Sequence, residues 1–205
     1  MPILTDFHMH SSFSGDSDTP MEEMIQKGIE LGLTHMCFTE HNDFDFPVTE
    51  LDPEGKFECN IDSYLYELIG LREKYQDKIK ILFGLELGMQ PHLARRHAIL
   101  TKSYDFDFII ASSHICNGKD PYYPPFYEGR SEEDAYREYF MSILDNIKKF
   151  KNFDVYGHLD YVVRYGPNMD AEYTYEKYQD ILEEILKLLI AEEKGIEINT
   201  GGVKR

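Results

Sequence analysis

Two histidines one residue apart, His8 and His10, close an apolar run that begins Pro2-Ile3-Leu4. Side chains at i and i+2 of a strand point to one side, so the pair can converge on a single metal ion. One His-x-His pair carries little weight. This one heads a series: Asp16, Thr39-Glu40-His41, Gly84-Leu85-Glu86, Ser112-Ser113-His114 and Gly157-His158-Leu159-Asp160. Imidazoles and carboxylates without thiolates suit zinc, iron(II) or manganese, and the donor set does not choose among them. Read from the residues, His8 and His10 supply one ion, His114 and His158 a second, and Asp16 and His41 a third. Glu86 ends the apolar run Ile81-Leu82-Phe83-Gly84-Leu85, where a buried carboxylate needs a cation and is able to bridge two. Clustered divalent ions polarise phosphoryl oxygens and lower the pKa of a bound water, chemistry that gives most on a phosphate monoester. Arg164, six residues after His158, is a candidate to grip a phosphate oxygen, and Lys204 and Arg205 are candidates for the same pocket.

These residues need a frame, and the sequence supplies alternating strand-like and helix-like segments. The strands are expected over Ile3–Met9, His35–Glu40, Ile79–Leu87, Phe106–Ser112, Val155–Leu159 and Gly195–Asn199, several of them as rich in Ile, Leu, Phe and Val as strands covered on both faces. Helices are expected between them. One is capped by Thr19 with Pro20 at its first position and ends before Gly32; the others span Asp62–Tyr75, Pro91–Tyr104, Ser131–Phe150 and Tyr173–Glu193. The fourth opens with the capping pattern Ser131-Glu132-Glu133-Asp134. Repeated strand–helix units predict an α/β fold with a parallel sheet or barrel and function at the C-terminal strand ends, where the donors fall; Asp16 and His41 are expected in loops just after strands. The sixth strand runs into Asn199-Thr200-Gly201-Gly202-Val203-Lys204-Arg205, which reads as a barrel short of its last strand.

Composition bounds the chemistry. At 205 residues the chain suits a single domain, residues 1–205, and a hydrophobic fraction of 42% makes it globular. A net charge of −17 argues against a nucleic-acid partner, and no apolar run approaches the ~20 residues of a membrane span. With no basic-then-apolar leader, the expected location is cytoplasmic. The acidic total would repel a phosphorylated substrate unless cations reverse the sign locally, as three divalent ions would. Cys37, Cys59 and Cys116 read as reduced thiols, with Cys37 in the core. His35 precedes a strand and is given no role; His92 and His97, on a helix with Arg95 and Arg96, read as solvent-facing. The run Pro121-Tyr122-Tyr123-Pro124-Pro125-Phe126-Tyr127 reads as an ordered loop, its rings packed on one another or on a substrate.

The set Asp6-Phe7-His8-Met9-His10, Thr39-Glu40-His41-Asn42, Gly84-Leu85-Glu86, Ser113-His114 and Gly157-His158-Leu159-Asp160 resembles the polymerase-and-histidinol-phosphatase (PHP) metal-hydrolase family. Gly118-Lys119-Asp120-Pro121-Tyr122-Tyr123, Glu128-Gly129-Arg130-Ser131 and Arg164-Tyr165-Gly166 resemble its histidinol-phosphatase branch. The resemblance implies a distorted, TIM-like (β/α)7 barrel with up to three divalent ions. His8, His10 and Glu86 would bind the first, Glu86, His114 and His158 the second, and Asp16 and His41 the third. It also implies hydrolysis of L-histidinol phosphate in histidine biosynthesis, with Arg164 holding the phosphate. The family's final Gly-Ser-Asp-Ala-His type motif has no counterpart in these 205 residues, so the first ion lacks a carboxylate and the third is expected to be weak or absent. Two other readings stand beside this one: a PHP phosphoesterase for a nucleotide or phosphotyrosyl protein, and a non-catalytic metal-binding domain.

Overall fold

A computed structural model describes residues 3–171 and 173–199. Six strands lie in one sheet in chain order: β1 (Thr5–Asp6), β2 (His35–Asn42), β3 (Lys80–Gly88), β4 (Phe108–Ser112), β5 (Val155–Tyr156) and β6 (Gly195–Ile196). The β1–β2, β2–β3 and β5–β6 pairings are parallel. Helices fill the connections: α1 (Met21–Glu30), α2 (Ile61–Tyr75), α3 (Ala94–Ser103), α4 (Glu132–Lys149), α5 (Tyr161–Tyr165) and α6 (Tyr175–Ala191). The backbone divides into two compact units. One comprises residues 1–87 and 104–110; the other comprises residues 88–103 and 111–205. No helix among the described residues is long and apolar enough to cross a membrane.

In the first unit, β2 and β3 are paired over eight residues, from His35 opposite Lys80 to Asn42 opposite Leu87. Phe38, Ile81, Phe83 and Leu85 are buried, and Tyr64 and Leu68 of α2 and Ile25 of α1 are buried with them. The Tyr64 hydroxyl reaches the carbonyls of Phe38 (2.9 Å) and Gly84 (3.1 Å), which fastens α2 to both strands. Asp107 accepts the Phe83 N–H at 2.8 Å and also pairs with Arg72 of α2. In the second unit, α4 and α6 pack on each other through aromatic and branched side chains, with Phe140 and Tyr178 edge to face at 5.3 Å. Ser131 caps α4 as its spacing predicts, its hydroxyl accepting the Asp134 N–H at 3.1 Å.

Several expected boundaries move. Hydrogen-bonded β1 is only two residues long, so His8 and His10 follow the strand rather than lie on it. Their direction is set instead by Met9, whose N–H meets the Thr39 hydroxyl (3.2 Å) and whose carbonyl accepts the Thr39 N–H (3.0 Å). β2 runs two residues past Glu40, which places His41 inside the ladder opposite Glu86 rather than in a loop. α1 starts at Met21 with Pro20 as its unbonded cap, so Thr19 is not the capping residue. α3 is preceded by a 3₁₀ turn over Pro91–Leu93. His97 is 0% exposed, not solvent-facing. Leu93, His97 and Thr101, four residues apart, share the buried stripe of that helix, and the His97 ring meets Phe150 at 5.5 Å. The short helix α5 was not anticipated. Thr200, Lys204 and Arg205 lie outside the described residues.

Burial also settles the thiols. Cys37 is buried in β2, and burial pushes Cys59 up to about 12 and Cys116 up to about 11, with the charges of Glu40 and Glu138 adding to it. The folded protein is therefore expected to resist iodoacetamide at pH 8 and to react at all three thiols once unfolded in urea. Mass spectrometry counts the adducts, and rapid labelling of Cys59 at pH 8 in the folded protein would contradict this.

Candidate metal centre

In the first unit, three of the expected ligands gather around an acidic oxygen of a fourth, Glu86, and a fifth, Asp16, stands beyond them. Glu86 is 0% exposed, and its Oε2 stands 3.3 Å from His8 Nε2, 3.5 Å from His10 Nε2 and 3.2 Å from His41 Nδ1. His41 Nε2 lies 3.5 Å from Asp16 Oδ2 on its other side. The His10 and His41 rings stack at 4.3 Å, and His8 meets His10 edge to face at 5.1 Å. His10, His41 and Glu86 form a group whose donor atoms are close enough to share one ion.

Local sequence explains this convergence. Met9 is pinned to Thr39, so its two neighbours both turn toward β3. Register then sets His41 beside Glu86, and cross-strand neighbours in a sheet point the same way. Asp16 arrives on the turn after Gly15, where any Cβ would sit 2.2 Å from the Lys56 carbonyl oxygen, so only glycine lets the segment lie this close. Asp43, which the sequence reading passed over, is buried with Oδ2 3.1 Å from His41 Nδ1.

The electrostatics are those of a cation site. Burial disfavours charge on the His10 ring, as do His41 and His8, and together they bring its pKa down to about 4, so His10 is neutral at pH 7. Burial acts the same way on His41, but Glu86, Asp16 and Asp43 outweigh it and raise that ring to about 10. Asp16 is held below its ordinary value, its burial overcome by His41. Two ligands of one tetrahedral ion, each about 2.0–2.1 Å from it, stand about 3.4 Å apart. The spacings of 3.2–3.5 Å around Glu86 and between Asp16 and His41 match that edge. The donor set therefore fits divalent metal.

The second unit holds the other two expected ligands. His114 and His158 are buried with their Nε2 atoms 3.4 Å apart, and both rings lie against Tyr161, at 5.5 and 5.3 Å. His114 is steadied by its neighbour Ser113. The Ser113 hydroxyl contacts Tyr156 Oη at 2.6 Å and accepts from Asn146 Nδ2 at 2.9 Å, while its carbonyl accepts the Tyr139 hydroxyl at 2.7 Å. Burial pushes Tyr156 up to about 12, against the pull of Ser113 and Asn146, so its hydroxyl stays protonated. Gly157 N–H meets the Ala111 carbonyl at 2.8 Å, and the His158 N–H meets Glu197 Oε2 at 2.9 Å. Glu197 is a second residue that the sequence reading passed over. Arg164 lies on α5, its Nη2 3.9 Å from Asp160 Oδ1. The tyrosine-rich loop packs on itself and on α5, with Tyr122 edge to face against Tyr123 and against Tyr165, at 5.0 Å each.

A family model described as the PHP domain matches residues 6–201. A histidinol-phosphatase of Lactococcus lactis is 39% identical over 196 residues, covering 95% of this chain and 71% of that protein. A probable histidinol-phosphatase of Clostridium acetobutylicum is 33% identical over 198 residues, covering 97% and 73%. The crystal structure of histidinol phosphate phosphatase from Lactococcus lactis, complexed with zinc, L-histidinol and phosphate, superposes with a TM-score of 0.88 at 39% identity, over 96% of this chain and 73% of that one.

Proposed function

The chain belongs to the PHP domain family, and from that premise we propose that it is a metal-dependent phosphomonoesterase that hydrolyses L-histidinol phosphate to L-histidinol and phosphate. The observation that carries this reading is the gathering of three imidazoles on the buried Glu86 carboxylate at ligand-to-ligand spacing, in a chain 39% identical to a histidinol-phosphatase. The proposed ligands are His8, His10 and Glu86 for one ion, His114 and His158 for another, and Asp16 and His41 for a third. A cytoplasmic setting in histidine biosynthesis accords with this substrate, and residues 1–205 are read as a single PHP domain.

Divalent ions bound there supply Lewis acidity toward the phosphoryl oxygens and an ionised water at neutral pH. The chain's own residues do the rest. His10, neutral at pH 7, offers a lone pair without first losing a proton. His41 must give up a proton before it can ligate with the nitrogen facing Asp16, and Asp43 holds the ring's other nitrogen. Arg164 offers paired N–H donors to a phosphate oxygen. Tyr161 is the wall on which the His114 and His158 rings rest.

The deciding experiment measures phosphate release by the zinc- or manganese-loaded protein from L-histidinol phosphate, a nucleoside monophosphate and phosphotyrosine. Strong preference for the first supports the proposal, and equal rates on all three would overturn it. In the same assay Arg164→Ala is expected to raise KM or lower kcat by about 10-fold or more with metal content unchanged, the loss of a charged hydrogen bond worth ~1.5–3 kcal/mol. Unaltered kinetics would remove Arg164 from the phosphate site.

A further inference from the structure

Behind the first-unit ligands lies a buried acid that no expected role uses. Glu40 is fully buried and surrounded by donors. Its two oxygens accept the Ser11 N–H at 3.1 and 3.0 Å, the Ser11 hydroxyl donates to Oε1 at 2.6 Å, and the Ser14 hydroxyl donates to Oε2 at 2.6 Å. Ser14, itself buried, also accepts the His41 N–H at 2.9 Å, and its oxygen lies 3.4 Å from His10 Nδ1.

We propose that Glu40, acting through Ser14, is a positioning residue that fixes the His10 tautomer so that Nε2 presents its lone pair to a metal ion. Hydroxyl stoichiometry carries the argument. A serine hydroxyl has one proton and two lone pairs. The proton goes to the carboxylate, the strongest acceptor in reach and the closer one at 2.6 Å. One lone pair takes the His41 N–H. What remains facing His10 is a lone pair, so the imidazole must be the donor. Nδ1 then carries the ring proton and Nε2, the atom 3.5 Å from Glu86, is free to ligate. Outer partners that orient a ligating histidine are typically worth 10- to 100-fold in metal affinity. Because Ser14 holds the His41 backbone with the same oxygen, one hydroxyl sets two of the proposed ligands.

The inference rests on His10 being a ligand, and the test separates the two claims. Zinc affinity is measured by chelator competition on the full chain for the wild type, Glu40→Gln, Ser14→Ala, Ser11→Ala and His10→Ala, with long-range ¹H–¹⁵N NMR of the metal-free imidazoles. The glutamine amide donates to Ser14, which turns the serine proton toward His10. Glu40→Gln should therefore move the His10 proton from Nδ1 to Nε2 and weaken zinc about 10- to 100-fold. Ser14→Ala should weaken zinc to a similar extent, and Ser11→Ala, which leaves the Ser14 link in place, far less. A change of tautomer in Glu40→Gln is a readout that a merely structural role would not move. Wild-type affinity and tautomer in Glu40→Gln and Ser14→Ala, beside a loss in His10→Ala, would overturn the relay alone. Wild-type affinity in His10→Ala would overturn the ligand assignment and the relay with it.

Discussion

Glu86→Gln is expected to abolish turnover and to empty the first-unit site of metal, without unfolding the protein. The change is isosteric, so β3 keeps its packing. The glutamine oxygen can still ligate weakly, but the negative charge is gone, and three imidazole nitrogens at 3.2–3.5 Å lose the anion they converge on. One of them, His41, is held in its charged form largely by Glu86, so the ring proton should also become easier to remove. The loss in kcat/KM should exceed about 10³-fold, beyond the 10- to 100-fold typical of residues one step removed from a metal. Elemental analysis of the purified variant beside a phosphate-release assay gives the answer. Full metal occupancy would deny Glu86 its role.

The second large effect is structural. Gly84→Ala places a Cβ 2.7 Å from both the Cys37 sulfur and the Phe38 carbonyl oxygen, and 2.8 Å from Thr39 Cγ2. A sulfur can turn aside, but the carbonyl belongs to the ladder and also accepts the Tyr64 hydroxyl. Overpacking of this kind costs about 2–3 kcal/mol. For a chain of this length the thermal midpoint should fall on the order of 5–10 °C. Since Glu86 is two residues further along the same strand, zinc affinity should fall with it. An unchanged midpoint would show that β2 and β3 part without cost at this point.

What could be read beforehand was the donor list and the strand–helix alternation, because both are periodic or local. His8, His10 and Glu86 were legible as types at spaced strand ends and Asp16 and His41 just after them, and the parallel ladder then sets His41 beside Glu86. What could not be read depends on partners distant in sequence. His41-Asn42-Asp43 is polar enough to look like a loop, yet pairing with β3 keeps the strand extended as far as Asn42, and Asp43 follows it into contact with His41. Glu40 reaches Ser14 and Ser11 across 26 and 29 residues, and such separations leave no periodic trace. Arg95 and Arg96 drew attention to the exposed side of α3, whereas the four-residue spacing of Leu93, His97 and Thr101 marked the buried one. α5, at five residues, is shorter than any pattern can reveal.

The alignment of His41 with Glu86 is the last but one of eight rungs between β2 and β3. Chain length between those rungs, as much as side-chain chemistry, decides whether the acid meets the imidazoles. A one-residue insertion or deletion within either strand would rotate everything beyond it to the opposite face while leaving each donor in the sequence. Apart from the ligands, Glu40 and Gly84, residues along these strands can therefore be exchanged more readily than one can be added or dropped, and a gap here in an aligned relative would mark a protein that has given up the metal.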